Sequence, residues 1–156
     1  MFLNRCPHAK RLAICENTAR GVGKPKFGAP HMMRQRETIA KCLCDLCGRS
    51  IRNATKVSLS RARPIAHAAR PNDILQVEPL RHRKCAAICM DWCPSLKKQL
   101  ALGELNIRQV HRHGVQFAIY SKQGTFEVVG ERRLAVSHAK VHLQEFTERD
   151  IDWLTR

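Results

Sequence analysis

Polar and apolar residues alternate over Lys56-Val57-Ser58-Leu59-Ser60, which predicts a strand. Ile74-Leu75-Gln76-Val77 predicts a second short strand. Residues 61–73 between them read as a loop, stiffened by Pro64 and Pro71 and charged by Arg61, Arg63 and Arg70. Pro79 leads into a helix over His82–Trp92, which Pro94 ends by disfavouring helical geometry at Cys93. Ile88, Cys89 and Trp92, continued by Leu96, form an apolar stripe along it. Ser95 can cap a following short helix that runs to Leu102 and stops at Gly103.

The last third changes period. Val115–Tyr120 and Thr125–Val129 are strand-like runs joined by Ser121-Lys122-Gln123-Gly124, a hairpin pattern, and Ile107–Val110 and Lys140–Leu143 add outer strands. Thr147-Glu148-Arg149-Asp150 resembles a capping box that opens a terminal helix through Leu154. At the other end, Arg34–Lys41 is a short helix or an extended lead-in. Residues 1–33 carry little periodicity, with turn residues scattered from Gly21 to Pro30, and read as a flexible basic arm. Met32 and Met33 are alternative starts that would place this arm outside the natural chain.

Composition sharpens the picture. Lys and Arg number 28 against 13 Asp and Glu, a formal charge of +15, and such a field attracts polyanions. A hydrophobic fraction of 44% is enough for a modest core in 156 residues. No run of ~18 apolar residues exists to span a membrane, and the N-terminal apolar stretches are too short for a signal peptide. A reducing, cytoplasmic setting follows for the eight cysteines. An organellar presequence fits poorly, because Gly21, Gly23, Pro25, Gly28 and Pro30 preclude a long amphipathic helix.

Six cysteines fall between Cys42 and Cys93, in two clusters. Cys44-Asp45-Leu46-Cys47-Gly48 is a metal knuckle: two residues between thiolates turn both sulfurs to one ion, and the glycine permits the left-handed backbone that turn needs. His82-Arg83-Lys84-Cys85, with Cys89 and Cys93, is the other cluster. Helical residues rise ~1.5 Å each, so Cys85 and Cys93 stand ~12 Å apart and cannot share one tetrahedral zinc unless the helix breaks between them, which leaves Cys93 a further alternate ligand. The leading ligand set is Cys44, Cys47, His82 and Cys85, with Cys44, Cys47, Cys85 and Cys89 next and Cys42 as a substitute for Cys44. An iron–sulfur cluster is the rival cofactor, although C-x-C-x-x-C matches neither common ferredoxin spacing. Cys6 and Cys15 lie apart from any CxxC pair and read as stray thiols.

Cys44-x-x-Cys47-Gly48-Arg49-Ser50-Ile51, then Glu78-Pro79-Leu80-x-His82-x-x-Cys85-Ala86, then Cys93-Pro94-Ser95-Leu96 resembles a loosely defined group of uncharacterised phage-associated and bacterial cysteine-rich proteins. Their pattern is roughly CxxCGxPI, EPPxHxxCA and CPFL. Ser50, Leu80 and Ser95 depart from it. The likeness spans residues 44–96 and implies His82 and Cys85 as the second ligand pair, but no activity.

The expectation is an α+β protein: a basic arm over 1–33, a treble-clef-like zinc core of knuckle, hairpin and helix over 34–103, and a small antiparallel sheet with a terminal helix over 104–156. Its basic surface would bind nucleic acid or a nucleoprotein assembly, with Arg49, Arg52, Arg61, Arg63, Arg70, Arg81, Arg83 and Lys84 on phosphates. A protein-interaction adaptor acting on a host or phage factor is the alternative. A metal-dependent nuclease is the third class, its tempting cluster being His111-Arg112-His113-Gly114, which lies outside the cysteine-rich unit and has no acidic metal cluster beside it.

Overall fold

In the computed structural model, which describes residues 1–17, 21–24, 31–65, 70 and 72–156, the elements are β1 (Phe2–Arg5), β2 (Leu12–Cys15), α1 (Met32–Ala40), β3 (Lys56–Ser60), β4 (Ile74–Gln76), β5 (Arg81–His82), α2 (Arg83–Trp92), α3 (Pro94–Ala101), β6 (Asn106–Ile119), α4 (Lys122–Val129), β7 (Val136–Arg149) and α5 (Ile151–Thr155). One seven-stranded sheet gathers the strands in the order β1-β2-β7-β6-β3-β5, with β4 pairing β7 off that path. β2 meets β7 in parallel at Ala13 and Val136, while the other ladders are antiparallel. The α+β class holds.

The spine is the β6–β7 ribbon, paired from Ile107↔Arg149 to Ile119↔Val136 with three register shifts. Such bulges bend and twist a long ribbon. Ile107–Val110 and Val115–Ile119 are therefore parts of one strand, bridged across the polar His111–Gly114 stretch and ending one residue before the expected Tyr120, and Lys140–Leu143 lies inside β7. Thr125–Val129 is not a strand but the body of α4. Its β-branched residues favour a strand locally, yet Ser121 Oγ accepts from the Gly124 N–H (3.0 Å) as a helix cap, and Val128 packs on Ile14, Met32 and Ala135. Tertiary packing outweighs a propensity difference of only tenths of a kcal/mol (~0.5 per residue).

The expected flexible arm is likewise corrected. Residues 2–15 make the β1–β2 hairpin, whose Ala13 and Ile14 are fully buried, and Met32 opens α1 against Ile14. Residues 25–30 of the turn-rich stretch and residues 18–20 before it lie outside the described residues, as do residues 66–69 and Pro71 of the 61–73 loop. The sheet also crosses both expected segment boundaries, since β2 joins β7 and β3 joins β6.

Around the knuckle the strands fall as expected but pair differently. β3 pairs with β5 and β6, and β4 pairs with β7, so the two predicted strands share no ladder. They meet through side chains: Gln76 Oε1 accepts from Ser58 Oγ (2.6 Å) and Ser60 Oγ (3.2 Å), all three buried. α2 ends at Cys93 as expected, with Pro94 at the first turn of α3 and Cys93, not Ser95, in the cap position. Thr147 is paired in β7, and Asp150 caps α5 by accepting from Trp153 N–H (2.8 Å). α2 and α5 cover β3 and β6 through Val57, Leu59, Ala86, Met90, Ile107 and Leu154.

α1 seats on the sheet through two polar residues. Gln35 and Arg36 are 2% and 1% exposed. The Gln35 amide donates to Val77 O (2.7 Å) and Ala139 O (2.6 Å) and accepts from Ala139 N–H (2.8 Å). The Arg36 guanidinium donates to Ser137 O and to Ile14 O (2.9 Å), pinning β2 and β7 to the same helix. Buried main-chain polar groups need such partners.

Candidate metal centre

The knuckle hangs between α1 and β3. Cys44 N–H donates to Arg49 O (2.7 Å) and Gly48 N–H to Cys44 O (2.9 Å), closing a tight loop whose return requires the left-handed Gly48 (φ +71°). Below it, Leu43 bridges Ser50 and Ile51 N–H donates to Cys42 O (3.0 Å). The loop is anchored from outside by Asp45, whose N–H donates to Leu80 O (3.1 Å) and whose carboxylate pairs with Arg81. Arg81 and His82 form β5, so the same short strand locks the knuckle and delivers the third ligand candidate.

His82 and Cys85 arrive on the opening turn of α2, for which His82 is the cap residue. Its ring makes no cap hydrogen bond because it turns to the cysteines. Cys44, Cys47, His82 and Cys85 place their ligand atoms within 4.8 Å of one another, the one such group of His, Cys, Asp and Glu among the described residues. His82 Nδ1 lies 3.4 Å from Cys47 Sγ and 3.9 Å from Cys85 Sγ. Zinc bonds of ~2.0–2.3 Å at tetrahedral angles separate ligand atoms by about 3.5–3.8 Å, a spacing these two distances bracket.

The tautomer is set from behind. His82 Nε2 lies 3.1 Å from Ser50 O, and a carbonyl can only accept, so Nε2 carries the proton and Nδ1 turns its lone pair to the sulfurs. Backbone donors favour thiolate: His82 N–H lies 3.5 Å from Cys44 Sγ, and the Arg49 N–H holds the Cys47 thiol below its ordinary value. Cys85 goes the other way in the metal-free chain, pushed up to about 12 by burial and by the Cys44 and Cys47 sulfurs. Sulfurs this crowded cannot all ionise without a cation among them. A divalent ion removes that conflict and releases the protons.

These four are the leading set from the sequence. Cys42, at φ +56°, packs beside Ile39, Cys44 and Ile51. Cys89 packs on the Val57–Leu59 cluster, where burial raises its pKa, and Cys93 is the cap residue of α3. None belongs to the ligand group. His111 and His113 do not either: His111 Nε2 lies 2.8 Å from Thr147 Oγ1, and burial lowers the pKa of His113. Among family models, curated proteins and solved structures, nothing matches this chain.

The basic residues divide. Arg49, Arg52, Arg63, Arg70 and Lys84 are exposed, and Arg61 is exposed while paired to Glu104 at 3.1 Å. Arg81 and Arg83, expected on phosphates, are engaged internally. Arg81 pairs with Asp45, and the Arg83 guanidinium lies 4.5 Å from the Trp153 ring centroid and donates to Trp153 O, tying α2 to α5. The predicted apolar stripe on α2 also splits: Cys89 and Leu96 pack inward, but Ile88 is 49% and Trp92 81% exposed. Sequence alone pointed to neither the Ser50 carbonyl nor the Asp45–Arg81 clamp, since each joins residues more than thirty positions apart that only the fold brings together.

Proposed function

We propose that this is a non-enzymatic basic protein, stabilised by one zinc on Cys44, Cys47, His82 and Cys85, that binds nucleic acid or a nucleoprotein assembly. The observation that carries the metal is the convergence of three thiols and a tautomer-fixed imidazole within 4.8 Å. Three sulfurs and one nitrogen suit structural zinc, which fills four positions with protein ligands and leaves none for substrate. Iron–sulfur ligation is the rival that metal analysis separates. The zinc unit is treble-clef-like: a knuckle, the antiparallel β3–β5 pair in place of a contiguous hairpin, and α2 with the second ligand pair in its first turn. Residues 61–80, with β4, are inserted between the two strands. Phage association rests on the motif likeness over 44–96.

Support for a polyanionic partner is the charge of +15 together with the exposed Arg49, Arg52, Arg61, Arg63, Arg70 and Lys84. Such contacts fix position on a phosphate backbone without reading sequence. The test is binding of labelled DNA and RNA across a salt series. The logarithm of affinity should fall linearly with that of salt, by ~0.9 per duplex phosphate neutralised. No measurable binding near physiological salt would transfer the role to a protein-interaction adaptor, which would instead hold a protein complex after nuclease treatment.

A further inference from the structure

Trp92, the last residue of α2, is 81% exposed, the most exposed large apolar side chain among the described residues. Trp153, the other tryptophan, is clasped between Arg83 and Arg149, with guanidinium carbons 4.5 and 5.1 Å from its ring centroid. On α2, Cys85, Ile88 and Trp92 stand at i, i+3 and i+7 and so share one helical face. Trp92 therefore rides on the face that carries a metal ligand, ~10 Å further along the axis. Ile88 is 49% exposed, and Leu46, between the knuckle cysteines, is 45% exposed.

Along the sequence of α2 and α3 the charge is one-sided. From Arg83 to Ala101, Arg83, Lys84, Lys97 and Lys98 face a single carboxylate, Asp91. Lys84, Lys97 and Lys98 are exposed. A bare indole on a helix pair whose exposed charges are Lys84, Lys97 and Lys98 against Asp91 matches a ligand that joins flat apolar rings to a chain of anions. An unpaired nucleotide is that ligand. A duplex hides its base faces in its own stack and offers this surface only phosphate, whereas a single strand offers both.

We infer that the nucleic acid bound is single-stranded, with the Trp92 indole as a platform on which a base stacks beside phosphates held by Lys84, Lys97 and Lys98. This rests on the nucleic-acid function proposed above. Because Trp92 buries so little of itself, its substitution leaves the core intact, and unchanged metal content and melting temperature verify that.

The experiment measures anisotropy of a labelled oligothymidylate and of a duplex of equal length with the full chain, as wild type, Trp92→Ala and Trp92→Phe. Base–aromatic stacking sets the scale: Trp92→Ala should weaken single-strand binding about tenfold or more, and Trp92→Phe should retain most of it. Duplex affinity should move less than about twofold, since phosphate contacts alone hold it. The fraction of tryptophan emission quenched by oligothymidylate should vanish in Trp92→Ala. If wild type binds with steep salt dependence but Trp92→Ala binds single strands equally well, stacking is overturned, the basic surface stands, and the ring becomes a contact for a protein. Equal losses on single strand and duplex overturn it too. A wild type that binds neither sinks the nucleic-acid function itself.

Discussion

His82 shows how one side chain can be set by three separate parts of the chain: β5 carries it, Ser50 O orients its ring, and the knuckle supplies the sulfurs it faces. Cys85 gives the site its pH signature. In the metal-free chain its thiol is raised from 9.0 to about 12, so the folded form keeps its proton after the unfolded form has lost it. The stability this contributes is present below pH 9.0 and lost as pH rises towards 12. Cys47 acts oppositely, its lowered value adding stability that is lost on acidification through that value. The metal-free protein should therefore show a melting temperature that declines in alkali, a decline that bound metal abolishes; a flat profile without metal would count against crowded sulfurs. Arg36 is the second decisive residue. Arg36→Met should strand the Ile14 and Ser137 carbonyls in the core and cost ~2–4 kcal/mol in denaturant unfolding, and Arg36→Lys should recover little because an ammonium cannot fork between two strands.

The β1–β2 hairpin belongs to the core through Ala13 and Ile14, so removing residues 1–31 should bare Met32, Ala135 and Val136 and destabilise the chain. A fully buried Ile alone contributes ~1.5–3 kcal/mol, which makes a loss of several kcal/mol the expected outcome by thermal or denaturant melts. Unchanged stability would restore the flexible-arm expectation. That hairpin was illegible in the sequence because its strands are four residues each, too short for alternation to show, and its polar neighbours read as an arm. β3 and α2 were legible to within a residue, as period-two alternation and a proline stop are local signals. α4 was not: Thr125, Val128 and Val129 carry strand propensity, and the Ser121 cap with the packing of Val128 on the Ile14–Met32 cluster decides for helix. Strand partners were illegible for a related reason. Nothing local tells β3 to choose β5 and β6 over β4, and Gln76 reveals its reach to Ser58 and Ser60 only in three dimensions. The leading ligand set, by contrast, rests on local C-x-x-C and H-x-x-C spacing, although Cys42, Cys89 and Cys93 stayed open beside it until the fold brought four residues together.

The single sheet makes the metal centre and the basic surface parts of one body, with β3 and β5 beside the knuckle and β6 and β7 beyond them. Replacing Arg61, Arg63 and Arg70 together by alanine should make the salt dependence of nucleic-acid binding shallower while metal content stays constant, because none of the three belongs to the ligand group. An unchanged slope would move the phosphate contacts elsewhere. Chelation should reach further than the knuckle, since Asp45, Leu80 and Arg81 couple it to β5 and so to β3. Structural zinc contributes an apparent ~10–16 kcal/mol in small finger peptides at neutral pH, so its removal should lower the melting temperature of the whole sheet. The most direct measurement is elemental analysis with native mass spectrometry of the purified chain and of Cys47→Ser. One zinc per chain, lost or sharply reduced in Cys47→Ser and untouched in Cys93→Ser, is the predicted result. Well under one metal per wild-type chain, zinc retained in full by Cys47→Ser, or iron with sulfide in its place would contradict the account.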